Sequence, residues 1–185
     1  MRMTTAGIAV LAAAALVSLP LSADTQVNQA TVGSTSEQIL ASQVRSALLK
    51  LPYYGVFDNL TFRVSGNAVT LGGDVTRPWL KTQAEKAVKS VKGVETVSSQ
   101  INVLPLSNYD DRLRAVLLRT IYGQPALNKY AHINPPIRII VNNGQVTLEG
   151  VVLNSGDRDI AFIQANSVSG VFHVENKLHL EKETL

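Results

Sequence analysis

Apolar residues recur along the chain in two rhythms, one of helical spacing and one of strict alternation. Leu40, Val44, Ala47, Leu48 and Leu51 fall three or four residues apart and mark one face of a helix. Leu60, Phe62 and Val64 then alternate, as do Val69, Leu71 and Val75, with Gly66-Asn67 between the runs as a hairpin turn. Helical spacing returns at Leu80, Ala84, Ala87, Val88 and Val91, opened by Thr76 and Pro78 and ended by Gly93. Val97, Ile101 and Val103 supply a last strand. Ser34 and Glu37, three residues apart, have the spacing of a capping box and set the expected start of the first helix. Asp24–Thr35 before it is polar and aperiodic, and is expected to be a flexible leader.

The same order comes round again. Val69-Thr70-Leu71-Gly72-Gly73-Asp74-Val75 recurs 77 residues later as Val146-Thr147-Leu148-Glu149-Gly150-Val151-Val152, and 11 of the 38 positions from 66 to 103 are identical at that offset. Upstream, Arg45 and Leu48-Leu49 match Arg114 and Leu117-Leu118 at an offset of 69, so the second copy carries eight extra residues between Thr120 and Arg138. The second copy then predicts a helix from about Asn108, strands through Ile139–Val141 and Val146–Val152 around Asn143-Gly144, a helix from about Ser155 to Ser169, and a strand over Val174–Leu180. The expected fold class is α+β: two αββαβ modules, 36–106 and 107–182, each a three-stranded mixed sheet packed by two helices. The short, partly apolar linker Leu104-Pro105-Leu106-Ser107 predicts that the modules are docked together.

The first residues read as an export signal. Arg2 supplies positive charge, Ile8–Leu19 a short apolar run, and Leu21-Ser22-Ala23 a small-residue end, so 1–23 is expected to be a signal peptide. The cleaved product would be soluble, and periplasmic in a Gram-negative cell. Zero cysteine excludes disulfides, thiol catalysis, cysteine-ligated metals and a lipid-modified N-terminal cysteine. The net charge of +3 is too weak to point to nucleic acid.

The chemistry-bearing residues do not assemble into a catalytic pattern. His173 and His179 lie on one face of one predicted strand, roughly 20 Å apart at about 3.3 Å per residue, too far to share a metal. His132 sits in the insert without a nearby acid. Asp157-x-Asp159 and Asp110-Asp111 fall in first turns of helices, where negative charge offsets the helix dipole. Gly72-Gly73 lies inside a strand and lacks the context of a phosphate loop. No enzyme, cofactor or metal is expected.

Charge is divided unequally between the copies. Residues 36–106 hold 8 basic and 5 acidic side chains, a balance of +3, whereas 107–185 hold 8 of each. The excess gathers on the second helix, where Arg77, Lys81, Lys86, Lys89 and Lys92 accompany Trp79, the only tryptophan. A tryptophan flanked by cations suits an anionic phospholipid surface, and these six residues are the candidate lipid-binding set. The alternative is a surface that docks an envelope protein, built from Tyr53, Tyr54 and Phe57, from Tyr122 and Tyr130, and from Arg112 and Arg119, set against the reading that these loop aromatics cap the core.

The repeated pattern resembles the BON domain, a small module of bacterial envelope proteins. The resemblance is carried by Asn67-Ala68-Val69-Thr70-Leu71-Gly72-Gly73, Ala84 and Val91-Lys92-Gly93-Val94 through Val97 and Ile101-Asn102-Val103. It is carried again by Asn143-Gly144-Gln145-Val146-Thr147-Leu148-Glu149-Gly150, Ala161 and Val168-Ser169-Gly170-Val171 through Val174 and Leu178. It implies an αββαβ fold, no catalysis, and attachment to phospholipid or envelope proteins. Gly66-Asn67 reverses the usual Asn-Gly, the insert Tyr122–Pro136 enlarges copy two, and without cysteine any membrane contact must come from the folded surface.

Overall fold

A computed structural model describes residues 26–131 and 135–181, with side chains from Ser36 onward. The first module runs α1 (Gln26–Leu49), β1 (Asn59–Ser65), β2 (Ala68–Val75), α2 (Pro78–Lys89), β3 (Thr96–Ser99) and β4 (Asn102–Val103). The second runs α3 (Asn108–Tyr122), a 3₁₀ turn (Asn128–Tyr130), β5 (Ile137–Asn142), β6 (Gln145–Val152), α4 (Ser155–Asn166) and β7 (His173–Leu180). In each, an antiparallel hairpin is joined by a parallel third strand on the far side of its second strand. β3 and β4 both run parallel to β2 at a constant register, Leu71 beside Ser99 and Asp74 beside Asn102, and form one interrupted strand. β7 holds the same place beside β6 without a break.

The alternation seen in the sequence is the burial pattern of the sheets. Val69, Leu71 and Val75 are buried on β2, as are Val146, Leu148 and Val152 on β6. α1 contributes Leu40, Val44 and Leu48 to the first core, and α2 adds Leu80, Ala84 and Val88. Burying each such leucine or valine stabilises the fold by about 1.5–3 kcal/mol. The repeated glycines Gly73 and Gly150 are required by geometry: both have positive φ, and a Cβ would lie 2.0 Å from the Asn59 carbonyl oxygen and 1.8 Å from that of Pro136.

The two hairpin turns differ as their dipeptides do. Gly66 alone has positive φ (57°) in the first, the pattern of a type II′ turn with glycine leading. Asn143 (51°) and Gly144 (76°) both do in the second, a type I′ turn. An acid from the first helix reaches each turn. Glu37 Oε1 accepts from the Gly66 amide at 2.6 Å, and the two carboxylate oxygens of Asp110 accept from the Asn143 and Gly144 amides, each at 2.9 Å.

Two expectations are corrected. The segment Asp24–Thr35, read as a leader, is helical from Gln26 onward, because α1 begins there and runs unbroken to Leu49. Aperiodicity means that a segment has no continuous apolar face; it does not prevent helix formation where no proline interrupts it. Ser34 therefore lies inside the helix, and Glu37 serves the hairpin turn instead of a capping box. His132 and the expected signal segment 1–23 lie outside the described residues.

The modules are in contact, as the linker suggested. The Ile139 amide donates to the Val56 carbonyl at 2.8 Å, and Arg138 donates to the Gly55 carbonyl at 2.8 Å while lying 4.5 Å over the Tyr54 ring. Asn59 donates to the Glu149 carboxylate across the same boundary. Val56 belongs to the apolar core of the second module, and Phe57 packs against it.

Candidate interfacial site

Helix α2 separates the basic residues into two groups. Its buried face is Leu80, Ala84 and Val88, and at about 100° per residue Trp79, Lys86 and Lys89 project from the opposite side. Lys86 follows Trp79 by seven residues, so the two stand on one stripe about 10.5 Å apart along the axis. Lys86, Lys89 and Lys92 are exposed. Lys81 is not part of that face: it is half-buried and donates to the Ile101 carbonyl at 2.9 Å, which fixes it at the sheet margin. The expected set of five cations and a tryptophan thus loses one member to a structural bond.

Beside this stripe lies exposed apolar surface. Tyr53 is 82% exposed and meets Trp79 edge-to-face, with ring centroids 5.5 Å apart. Leu106, in the linker, is 95% exposed and lines with Trp79, Arg77, Pro78 and Pro105 a cleft of about 490 Å³ between the modules. Tyr53 also holds a positive φ of 62°, a conformation that costs a non-glycine residue about 1–3 kcal/mol and holds the ring against Trp79. Neither Tyr53 nor Leu106 belongs to the apolar core clusters.

The alternative aromatic surface is mostly interior, which corrects that expectation for Tyr54, Phe57, Tyr122 and Tyr130. The Tyr54 hydroxyl accepts from the Leu60 amide at 3.1 Å, and Phe57 packs on the second core. Tyr122 is buried and donates to the Ile137 carbonyl at 2.6 Å; burial pushes its hydroxyl pKa far above the usual value. Tyr130 donates to Asp157 Oδ2 at 2.6 Å and accepts from the Leu153 amide at 2.8 Å. Burial, then the bond to Asp157, pushes its pKa up to about 12. These tyrosines fill apolar space and satisfy backbone groups. Arg112 and Arg119 remain exposed on α3, four residues before and three after the exposed Val116.

Three structural residues hold more than the sequence pattern assigned to them. Asp58 is buried and accepts from the Thr76 amide (2.7 Å), the Thr76 hydroxyl (2.9 Å) and the Gly55 amide (3.1 Å). Arg114, 5% exposed, donates to Asp111 Oδ1 and to the Val141 carbonyl, both at 2.6 Å, and its Nε has no partner. Asp157 takes Lys129 at 2.7 Å, Tyr130 and the Asn154 side chain. Burial works against its charge, but those three donors hold its carboxyl below the usual range. The insert thereby shows its purpose, since it delivers both Lys129 and Tyr130. The sequence signals for these roles were the Arg45–Arg114 match and the first-turn position of Asp157; Asp58 had none.

His173 and His179 are both exposed on β7, with Val174 and Leu178 turned to the core. Among the described residues, no group of three or more His, Asp or Glu is placed to hold a metal ion. No described helix is long and apolar enough to cross a membrane.

The family model of the BON domain matches this chain twice, over residues 36–105 and 110–182. No curated protein matches it. Among solved structures, it is similar to CdsD, a structural protein of the type III secretion system of Chlamydia trachomatis. The identity is 11%, the TM-score 0.27, and the alignment covers 79% of this chain and 95% of that one. A second structure, of the CdsD C-terminal domain, aligns at 14% identity and TM-score 0.28 over 76% of this chain and 96% of that one.

Proposed function

The chain belongs to the BON domain family, and from that premise we propose that it is a non-catalytic, exported envelope protein that binds anionic phospholipid surfaces and supports envelope integrity. The reading rests on one observation above all: Tyr53, Trp79 and Leu106 form exposed apolar surface with Arg77 at the start of the helix whose outer face carries Lys86 and Lys89, with Lys92 exposed just beyond its end. Amphipathic rings partition to the headgroup level, and each nearby cation adds about 1 kcal/mol of attraction to an anionic leaflet. Fully exposed leucine in a linker has no intramolecular reward and gains one on entering an interface.

Trp79 is the only tryptophan, so its fluorescence reports this surface without interference. Vesicles of phosphatidylglycerol at low salt are expected to co-sediment with the protein and to shift Trp79 emission to shorter wavelength. Phosphatidylcholine vesicles are expected to do neither. The triple change Lys86→Glu, Lys89→Glu and Lys92→Glu should abolish binding, since all three side chains point to solvent and the fold does not depend on them. Binding with an unchanged Trp79 spectrum would move the site to the Arg112–Arg119 face of α3. Absence of binding to anionic vesicles would sink the proposal and leave docking to an envelope protein as the reading to pursue.

A further inference from the structure

The third strand of each module stands at the outer edge of its sheet, and the two edges are built differently. In the first module that edge is interrupted between β3 and β4. In the second, β7 runs from His173 to Leu180 without a break, and no other described strand pairs along its outer side. The Leu178 amide is held instead by the Asn176 side chain, two residues back, at 3.2 Å. The helices that accompany these edges differ in the same sense. Asn176 donates to the Arg158 carbonyl of α4 at 3.2 Å, and Phe162 lies one turn further along that flank, with Ile163 beside it towards solvent. Both Phe162 and Ile163 are exposed. At the 77-residue offset, α2 has Glu85 and Lys86 in their places. Interruption and flanking charge are two ways in which proteins keep a sheet edge from pairing. The first module has both, whereas the second has an unbroken edge flanked by apolar side chains.

We propose that β7 is a dimer edge, which pairs antiparallel with β7 of a second copy of this chain and joins the two sheets, with α4 of each copy alongside. The charges on β7 select both the partner and the register. Glu175 and Lys177 are exposed on one face, two residues apart, and form an ion pair of 2.9 Å within the strand. In an antiparallel pair centred on Asn176, Glu175 lies opposite the partner's Lys177, and Lys177 opposite the partner's Glu175. Val174 then meets the partner's Leu178 on the core face. A centre on Glu175 or on Lys177 sets that charge against its own copy. Opposite charges directly across two strands attract and like charges repel. Of these three registers, only the one centred on Asn176 makes both charge pairs attractive, so the strand is complementary to itself there.

The test is sedimentation equilibrium of the purified protein over a concentration series without lipid, combined with charge exchange at these two positions. A monomer–dimer equilibrium is expected for the native chain. Glu175→Lys alone and Lys177→Glu alone each set like charges opposite one another, and each should weaken the dimer about tenfold or more. Mixed in equal amounts, the two variants should pair with each other, since the lysines of one then face the glutamates of the other. The double variant, Glu175→Lys with Lys177→Glu, should dimerise like the native chain. Phe162→Glu, which gives α4 the residue type that α2 carries at that place, should also weaken the dimer. The exposed ion pair within β7 contributes little to folding, and pairing in the mixture shows directly that both variants are folded. A monomer at every concentration up to about 1 mM overturns the proposal. So does a dimer that neither single change weakens, or one that mixing the two variants fails to restore.

Discussion

At the start of α4, Asn154 accepts from the Asp157 amide, and Asp157 is wrapped by Lys129, Tyr130 and Asn154. At the matching start of α2, 77 residues earlier, Arg77 and Leu80 replace Asn154 and Asp157, and no side chain caps the helix. The folds around these two ends are the same, so the difference is not one of architecture. One end has been closed by its own residues and by the eight-residue insert. The other has been left open, cationic and flanked by exposed aromatic surface. Both modules keep the same core positions, while the residues that would close the helix end differ between them.

The comparison can be broken most forcefully at what the modules share. Gly73→Ala and Gly150→Ala should each destabilise by about 3 kcal/mol or more, since each places a methyl group inside a carbonyl oxygen at a positive φ. Urea denaturation that showed one substitution harmless would mean that the two hairpins are not equivalent. Next in size is Asp157→Ala, expected to cost about 2–3 kcal/mol by orphaning Tyr130 and Lys129. Because the folded-state pKa of Asp157 is lowered, its contribution is present above the usual carboxylate pKa and lost as pH falls through the lowered value. Acid titration of stability should therefore be steeper in the native chain than in the variant.

Arg77→Asn would sharpen the comparison by giving α2 the cap that α4 has. A gain of about 0.5–1 kcal/mol in stability is expected, together with weaker vesicle binding. Equal or tighter vesicle binding would detach the open helix end from function. The smallest effect should come from Glu149→Gln at the module boundary. Burial raises the Glu149 carboxyl, against the opposing influence of Lys177, so its favourable contribution is present at acid pH and is lost as pH rises through the raised value. Melting curves should show the variant slightly more stable than the native chain at neutral pH, by under about 1 kcal/mol, with the advantage vanishing in acid.

The strands and helices were legible because alternation and helical spacing record burial directly, and because the second copy repeats them. β2 and β6 bury corresponding residues at the 77-residue offset. The polar residues were less legible. Asp110 looks like a solvated first-turn acid, yet it is fully buried and holds the amides of Asn143 and Gly144, more than thirty residues away. Nothing local distinguishes such a carboxylate from Asp111 beside it, which is exposed. Loop aromatics were ambiguous for the same reason: Tyr53 and Tyr54 are neighbours, and one faces solvent while the other sits beneath Arg138. The candidate lipid surface was visible as a basic helix with a tryptophan, but Leu106 and Tyr53 joined it only through tertiary contact.

The contact made by Val56 reaches beyond packing. Its carbonyl extends the ladder of β5, and its side chain completes a core that otherwise belongs to the later half of the chain. A cut in the linker would therefore not yield two intact products: the trailing half would expose the apolar ground that Val56 and Phe57 cover. During synthesis the leading half emerges first and waits with those residues uncovered until the other half arrives. What began as two copies of one unit is thus bound into a single heritable whole, because neither copy can be mutated, moved or lost without the other feeling it.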